Sequence, residues 1–441
     1  MNNKPIVQCD KVGPAVLLTL PETSLPVVHF TLALRHGAFV DPQGQAGRTR
    51  MMIESLLRGT QKQNRREFHC ALECLGSQID TTVTSELILL HGTSLKRNLS
   101  ATFNLLSDAV LIPAFDEQEC KILSRELIDA LRLERESDEA LAYHFWRRAL
   151  YQDHPLARRP TGEPSEIAWL KADDLRSAYK AQWNANSLIA ALSGDINKLE
   201  AQQLLEPIIA KLNAKHYHQQ QITNLPEPDG LNIFIVDKPY RSQVQMCVGR
   251  SAVSGFADDV LNFWLGIVAF GGTFTAKFCR EVRDIRGWSY TAYAEFARKL
   301  PFKSPLILHS APAITDAVDC LELELQLYRE LANGQIENQE IEAARSYLLC
   351  RYPLEIATIS DLVLPAIRDE ILNLPPNEFL KLPKRLSVIE PEAVSKALQL
   401  YLHPDNLIVV LVATADAILP DLQKRFTNAE ITIVNYLDGF Q

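Results

Sequence analysis

Several sets of side chains in this chain have the types and spacing for chemistry. Arg283 and Tyr290 stand seven residues apart, with Gly287 between them. On composition alone, Arg283 reads as the cap of a helix end ahead of Gly287 and Tyr290 as a packed strand aromatic. Glu119 and Glu126 recur seven residues apart on one helix-like stretch and so share a face. His69, Cys70 and Cys74 fall on one expected helix, where an i,i+4 cysteine pair has metal-ligand types, but a buried helix flank is the simpler reading. His216-x-His218 could hold an adventitious metal, with nothing nearby to complete a site. No histidine lies between His36 and His69.

The elements that must position these groups are legible as periodicities. Val27 to His36 and Ser77 to Gly92 read as strands, the second as a hairpin. Asn98 to Leu111, Asp116 to Arg135 and Glu139 to Tyr151 read as helices. The same design recurs about two hundred and twenty residues later. Asn186-Ser-Leu-Ile-Ala-Ala-Leu matches Asp405-Asn-Leu-Ile-Val-Val-Leu, and each follows a helix-like stretch. Ala114-Phe-Asp-Glu-Gln-Glu matches Gln335-Ile-Glu-Asn-Gln-Glu, and Arg58-Gly-Thr matches Gly271-Gly-Thr. Leu75-Gly-Ser-Gln matches Arg286-Gly-Trp-Ser, each a glycine turn from helix into strand. Four matches in one order indicate duplication. Strands followed by runs of helices imply an α+β layer, a largely antiparallel sheet with helices on one face. The expected division is therefore a first homologous domain over 1–215, a polar linker over 216–230 and a second homologous domain over 231–441.

Composition bounds the function classes. The 441 residues are 47% hydrophobic and 22% charged, which suits folded domains and not disorder. A net charge of −9 argues against a nucleic-acid partner, since phosphate binding needs clustered Lys and Arg. No apolar run reaches the roughly 18–20 residues of a membrane span. Met1-Asn-Asn-Lys-Pro lacks the apolar stretch of a secretory signal, so a cytoplasmic protein is expected, or a periplasmic one if a signal has been removed. The eight cysteines show no disulfide spacing and read as reduced, mostly buried thiols.

Gly47-Arg-Thr-Arg-Met-Met-Ile-Glu-Ser-Leu-Leu-Arg-Gly-Thr60 resembles the active-site helix of the pitrilysin or insulinase-like (M16) zinc peptidases. That family carries His-x-x-Glu-His there, two zinc-binding histidines one turn apart and a glutamate that activates the metal-bound water. Aligned by the flanking glycines, Arg50 and Glu54 stand at the histidine positions and Ile53 at the glutamate position. Arg50 is a permanent cation, Ile53 cannot take a proton, and Glu54 alone makes no tetrahedral site. The resemblance places the third ligand at Glu126, supported by Glu119, and an Arg50–Glu54 ion pair is expected in the metal's place. Gly271-Gly-Thr-Phe-Thr-Ala-Lys-Phe-Cys-Arg-Glu-Val-Arg283 through Tyr290 is similar to the family's second-half signature, in which an Arg and a Tyr grip the substrate near the scissile carbonyl.

The resemblance implies a non-catalytic subunit of a heterodimeric zinc peptidase. This chain would hold no metal or other cofactor. A homologous partner would carry the zinc, and Arg283 and Tyr290 would bind peptide substrates beside it. Two other readings stay open: a structural subunit without a role in hydrolysis, and a homodimeric peptide-binding protein.

Overall fold

The computed structural model describes residues 6–214 and 222–438. His216 and His218 lie outside the described residues. Five strands of the first sheet come from the first part of the chain: β1 Gln8–Val12, β2 Ala15–Pro21, β3 Val27–Leu34, β4 Gln78–Val83 and β5 Ile88–Leu95. The sixth, β6 Leu188–Gly194, inserts between β2 and β3 to give the order β1-β2-β6-β3-β5-β4. Only β2 and β6 run parallel, and β3 pairs antiparallel on both sides, with Leu32 opposite Leu90 and Ala190. The strand β6 is buried at every residue, as an apolar run covered on both faces must be.

The second sheet repeats the plan. It contains β7 Leu231–Asp237, β8 Gln245–Ser254, β9 Ala292–Phe296, β10 Lys303–Ser310, β11 Leu407–Ala413 and β12 Glu430–Asn435. Their order is β12-β7-β11-β8-β10-β9, so β11 takes the central place of β6 and β9 the edge place of β4. The copies differ at the opposite edge. There β1 forms an antiparallel hairpin with β2, whereas β12 arrives from the end of the chain and pairs parallel with β7. The expected strands, hairpin and helices are present, and the α+β duplication is the architecture.

The compact units differ from the expected continuous division in two helices. One unit is drawn from 1–132, 158–220 and 355–380, the other from 133–157, 221–354 and 381–441. In each half an 18-residue helix, Glu117–Glu134 or Asn338–Glu355, is followed by a further helix that packs on the sheet of the other half. Helix Asp138–Tyr151 packs on β8 and β11, where buried Trp146 donates from Nε1 to the Ile408 carbonyl at 3.2 Å. Lys238, nearly buried at the end of β7, donates to Asp138 at 2.7 Å and to the carbonyls of Arg135 and Glu136 at 3.3 Å. In the first unit, helix Val363–Ile371 packs on β6, and Arg35 pairs with Glu370 at 2.6 Å. An amphipathic stripe requires that a helix cover an apolar surface but does not name the sheet. Among the described residues no helix is long and apolar enough to cross a membrane.

Candidate functional site

The segment aligned with a zinc helix forms helix Arg48–Ser55. Its start is fixed by a buried carboxylate. Asp41 accepts from the Gly47 and Thr49 amides at 3.1 and 2.9 Å and from the Thr49 hydroxyl at 2.6 Å. Burial, partly offset by those hydrogen bonds, pushes the Asp41 carboxyl up to about 6. Gly47 takes a left-handed φ of 94°, and a Cβ there would meet Gly162 Cα at 2.9 Å. Only glycine satisfies both demands.

On this helix Arg50 and Glu54 bind each other, Nε to Oε1 at 2.7 Å, as expected. Ile53 is completely buried in the core with Met51 and Met52. It therefore occupies apolar space where a water-activating carboxylate would need solvent. Glu119 and Glu126 are brought together, but around cations. Arg58 pairs with both, at 3.3 Å to Glu119, and Arg65 lies 3.5 Å from Glu119 and 3.8 Å from Glu126. The Arg50–Glu54 pair and the Glu119–Glu126 cluster share no hydrogen bond or ion pair among the described residues. Zinc needs three or four converging neutral or anionic ligands. Here the candidate ligands are engaged by Arg50, Arg58 and Arg65, and among the described residues no group of three His, Cys, Asp or Glu side chains could hold a metal. These residues do not fit zinc.

The second half is built differently. After the Gly271-Gly272 turn a short helix widens into a π-turn, Arg280–Ile285, anchored inward by buried Phe278, Cys279 and Val282. Single π-turns re-aim side chains and recur at functional positions. The Cys279 thiol donates to the Ala292 carbonyl at 2.8 Å, tying this turn to edge strand β9. Arg283 then lies on the ring of Phe274, its guanidinium carbon 3.4 Å from the centroid. Its Nε and Nη2 donate to the two Asp284 oxygens at 2.8 and 3.2 Å, and Nη2 donates to the Phe274 carbonyl at 2.7 Å. Nη1 has no partner among the described residues. The hydrogen bond from Arg283 holds the Asp284 carboxyl below the usual range.

Tyr290 is 85% exposed and precedes β9, so it is neither on the strand nor packed. Arg283 binds Phe274 and Asp284 in place of the helix-end carbonyls a cap would take. No hydrogen bond joins Arg283 to Tyr290, although the phenol contributes weakly to raising the basicity of Arg283 and is thus an electrostatic neighbour. Sequence reasoning missed Phe274 and Asp284. The signal for Asp284 was adjacency; for Phe274 there was only its place in the glycine turn.

Other candidates resolve in two ways. Cys120, Cys247, Cys279 and Cys320 are buried, but Cys9, Cys70, Cys74 and Cys350 are exposed, which corrects the expectation of mostly buried thiols and of a buried Cys70/Cys74 flank. The helix Arg65–Cys74 buries Phe68 and Leu72 instead, since those two residues carry its apolar stripe. A cavity of about 380 Å³ between the first sheet and helix Val363–Ile371 is lined by His29, Thr31, Asp80 and His91 of the sheet and by Leu364 and Ile367 of the helix, among others. Its sequence signal was the alternation of polar His29 and Thr31 with core Val28, Phe30 and Leu32.

Fold and site together define a duplicated α+β chain of metallopeptidase type, with arginine–glutamate pairs at the zinc-motif positions. The chain belongs to the M16 peptidase family: residues 18–162 match the model described as Insulinase (Peptidase family M16) and residues 170–348 that described as Peptidase M16 inactive domain. It is 20% identical to a Helicobacter pylori protein named non-peptidase homolog YmxG, across 88% of this chain and 89% of that protein. Its fold is similar to the peptidase M16 inactive domain from Pseudomonas fluorescens, with a TM-score of 0.84 at 20% identity over 92% of this chain and 98% of that one. It is also similar to the periplasmic protease PqqL from Escherichia coli, with a TM-score of 0.76 at 15% identity. That match covers 98% of this chain and 51% of PqqL, so the chain spans about half of that protein's length.

Proposed function

We propose that this chain is the non-catalytic subunit of a two-chain zinc peptidase, and that it supplies Arg283 and Tyr290 to hold peptide substrates at a partner's metal site. The observation that carries this reading is an asymmetry between the halves. The charged side chains at the old motif pair among themselves, Arg50 with Glu54 and Arg58 with Glu126, whereas Arg283 is braced by its neighbours Asp284 and Phe274 on a segment that also carries the exposed Tyr290 phenol. Bracing costs the arginine its rotamer freedom in advance, so a donor is presented without ordering cost when an oxygen gains charge. The likeness to a protein named a non-peptidase homologue supports the absence of independent hydrolysis. The partner is a homologous chain with an intact His-x-x-Glu-His helix, and the chamber is shared between the two.

The test is reconstitution with such a zinc-bearing chain, sought beside this chain's own coding region. The pair should cleave unfolded peptides, and neither chain should do so alone. Arg283→Ala or Tyr290→Phe should lower kcat/KM by about 10²-fold or more, the order for loss of a transition-state donor. Unchanged rates in both variants would mean the chain is a scaffold.

A further inference from the structure

The helix Arg65–Cys74 carries chemistry that the peptidase reading does not use. It is a well-fixed helix: Asn64 and Glu67 form a capping box at its start, with the Glu67 amide donating to the Asn64 side chain at 3.0 Å. Phe68 and Leu72 are buried beneath it, which leaves Cys70 and Cys74 exposed one turn apart. Residues four apart share one face of a helix, so the two thiols are neighbours on its exposed side. The Cys74 thiol is pushed up from its ordinary value, and the charge and hydrogen bond of Cys70 are the leading causes.

The spacing decides what can join them. Side chains four apart on a helix have Cβ atoms about 5–6 Å from each other. A disulfide needs about 3.5–4.5 Å, so a direct S–S bond would have to break the last helical turn. An atom bonded to both sulfurs at about 2.3 Å spans a gap of roughly 4.6 Å, which intact helix geometry allows. Zinc is not that atom, because it takes four ligands and no third His, Cys, Asp or Glu joins the pair among the described residues. Thiolates select soft cations, and a two-coordinate cation needs no more than this pair offers.

We propose that Cys70 and Cys74 form a bis-thiolate site for a soft monovalent cation of the Cu(I) or Ag(I) kind. Binding makes two sulfur–metal bonds, releases one proton from each thiol and changes no oxidation state. The product carries one negative charge, and Arg66, four residues before Cys70 on the same face, offers the compensating cation. The site is independent of the peptidase reading.

The test uses Ag(I), which needs no reductant, on the full chain with Cys9→Ser and Cys350→Ser removing the other exposed thiols. Native mass spectrometry should show one silver ion per chain replacing two protons. Calorimetry should show that Cys70→Ser or Cys74→Ser weakens binding by about 10²-fold or more, the loss expected when the second attachment is no longer intramolecular. Far-UV circular dichroism should be the same in all variants, and Zn(II) should not compete. Silver binding indifferent to both substitutions would overturn the proposal. So would equal competition by Zn(II), or a Cys70–Cys74 disulfide formed by small-molecule disulfide exchange with helix content intact.

Discussion

Replacing Glu324 with Gln should flatten a pH dependence built into the second unit. Glu324 lies on helix Ala317–Ala332 and is completely buried, with the Cys320 sulfur 3.5 Å from Oε1 and no hydrogen-bond partner for Oε2 among the described residues. Burial pushes its carboxyl from 4.5 up to about 7, and the neighbouring Ser310 and Cys320 side chains offset this only in part. Between those two values the folded chain keeps a proton that the unfolded chain has released. Stability therefore falls as pH rises from about 4.5 to about 7 and is level above that. A shift of that size, at about 1.4 kcal/mol per unit, amounts to about 3 kcal/mol. Buried His309 acts in the opposite sense: burial lowers it to about 4, so stability is lost as pH falls from 6.5 toward that value. Subtracting wild type from Glu324→Gln at each pH removes the contribution of His309. Urea unfolding followed by tryptophan fluorescence should show the variant's relative stability rising by about 3 kcal/mol between pH 4.5 and pH 8. A difference that is the same at both pH values would refute the reasoning, because ionising Glu324 in place would then cost nothing.

Two further outcomes test the packing that the functional reading needs. Ile53→Glu restores a carboxylate at the position of the family's water-activating residue, but Ile53 is completely buried, so an unpaired charge there should destabilise the first unit by about 3–5 kcal/mol, and an unshifted melting temperature would show that the position opens onto solvent. Trp146→Ala removes the anchor that seats helix Asp138–Tyr151 on β8 and β11 and should cost about 3–5 kcal/mol, whereas Trp146→Phe, which loses chiefly the bond to the Ile408 carbonyl, should cost about 1 kcal/mol in the same denaturation experiment.

The asymmetry between the halves also accounts for which residues are constrained by what. In the first half, Arg50, Arg58 and Arg65 give the carboxylates of Glu54, Glu119 and Glu126 partners of fixed charge. In the second, Arg283 spends three of its donor contacts on its own local segment, Phe274 and Asp284, which sets its direction before any ligand arrives. A half-buried pair such as Arg50–Glu54 contributes little to stability on its own. Its role is to leave no uncompensated charge beside the core residues Met51 to Ile53.

The sequence by itself determined the strands, the helices and their duplication, because hydrophobic periods of two and 3.6 residues are local properties that each segment carries alone. It also determined that zinc-motif ligands are missing, since ligand chemistry depends on residue type. Even the Arg50–Glu54 pair was legible, being one helical turn. Only tertiary structure decided that Arg58 would bind Glu119 and Glu126, more than sixty residues away, and that Glu324 would be sealed from water. It alone decided that helices Asp138–Tyr151 and Val363–Ile371 would each cover the sheet of the other half. It also turned Cys70 and Cys74 outward on a helix whose apolar stripe could be satisfied without them. The reason is common to all four: burial and partner choice are settled by which surfaces close over one another, and an amphipathic pattern states that a face must be covered but not by what.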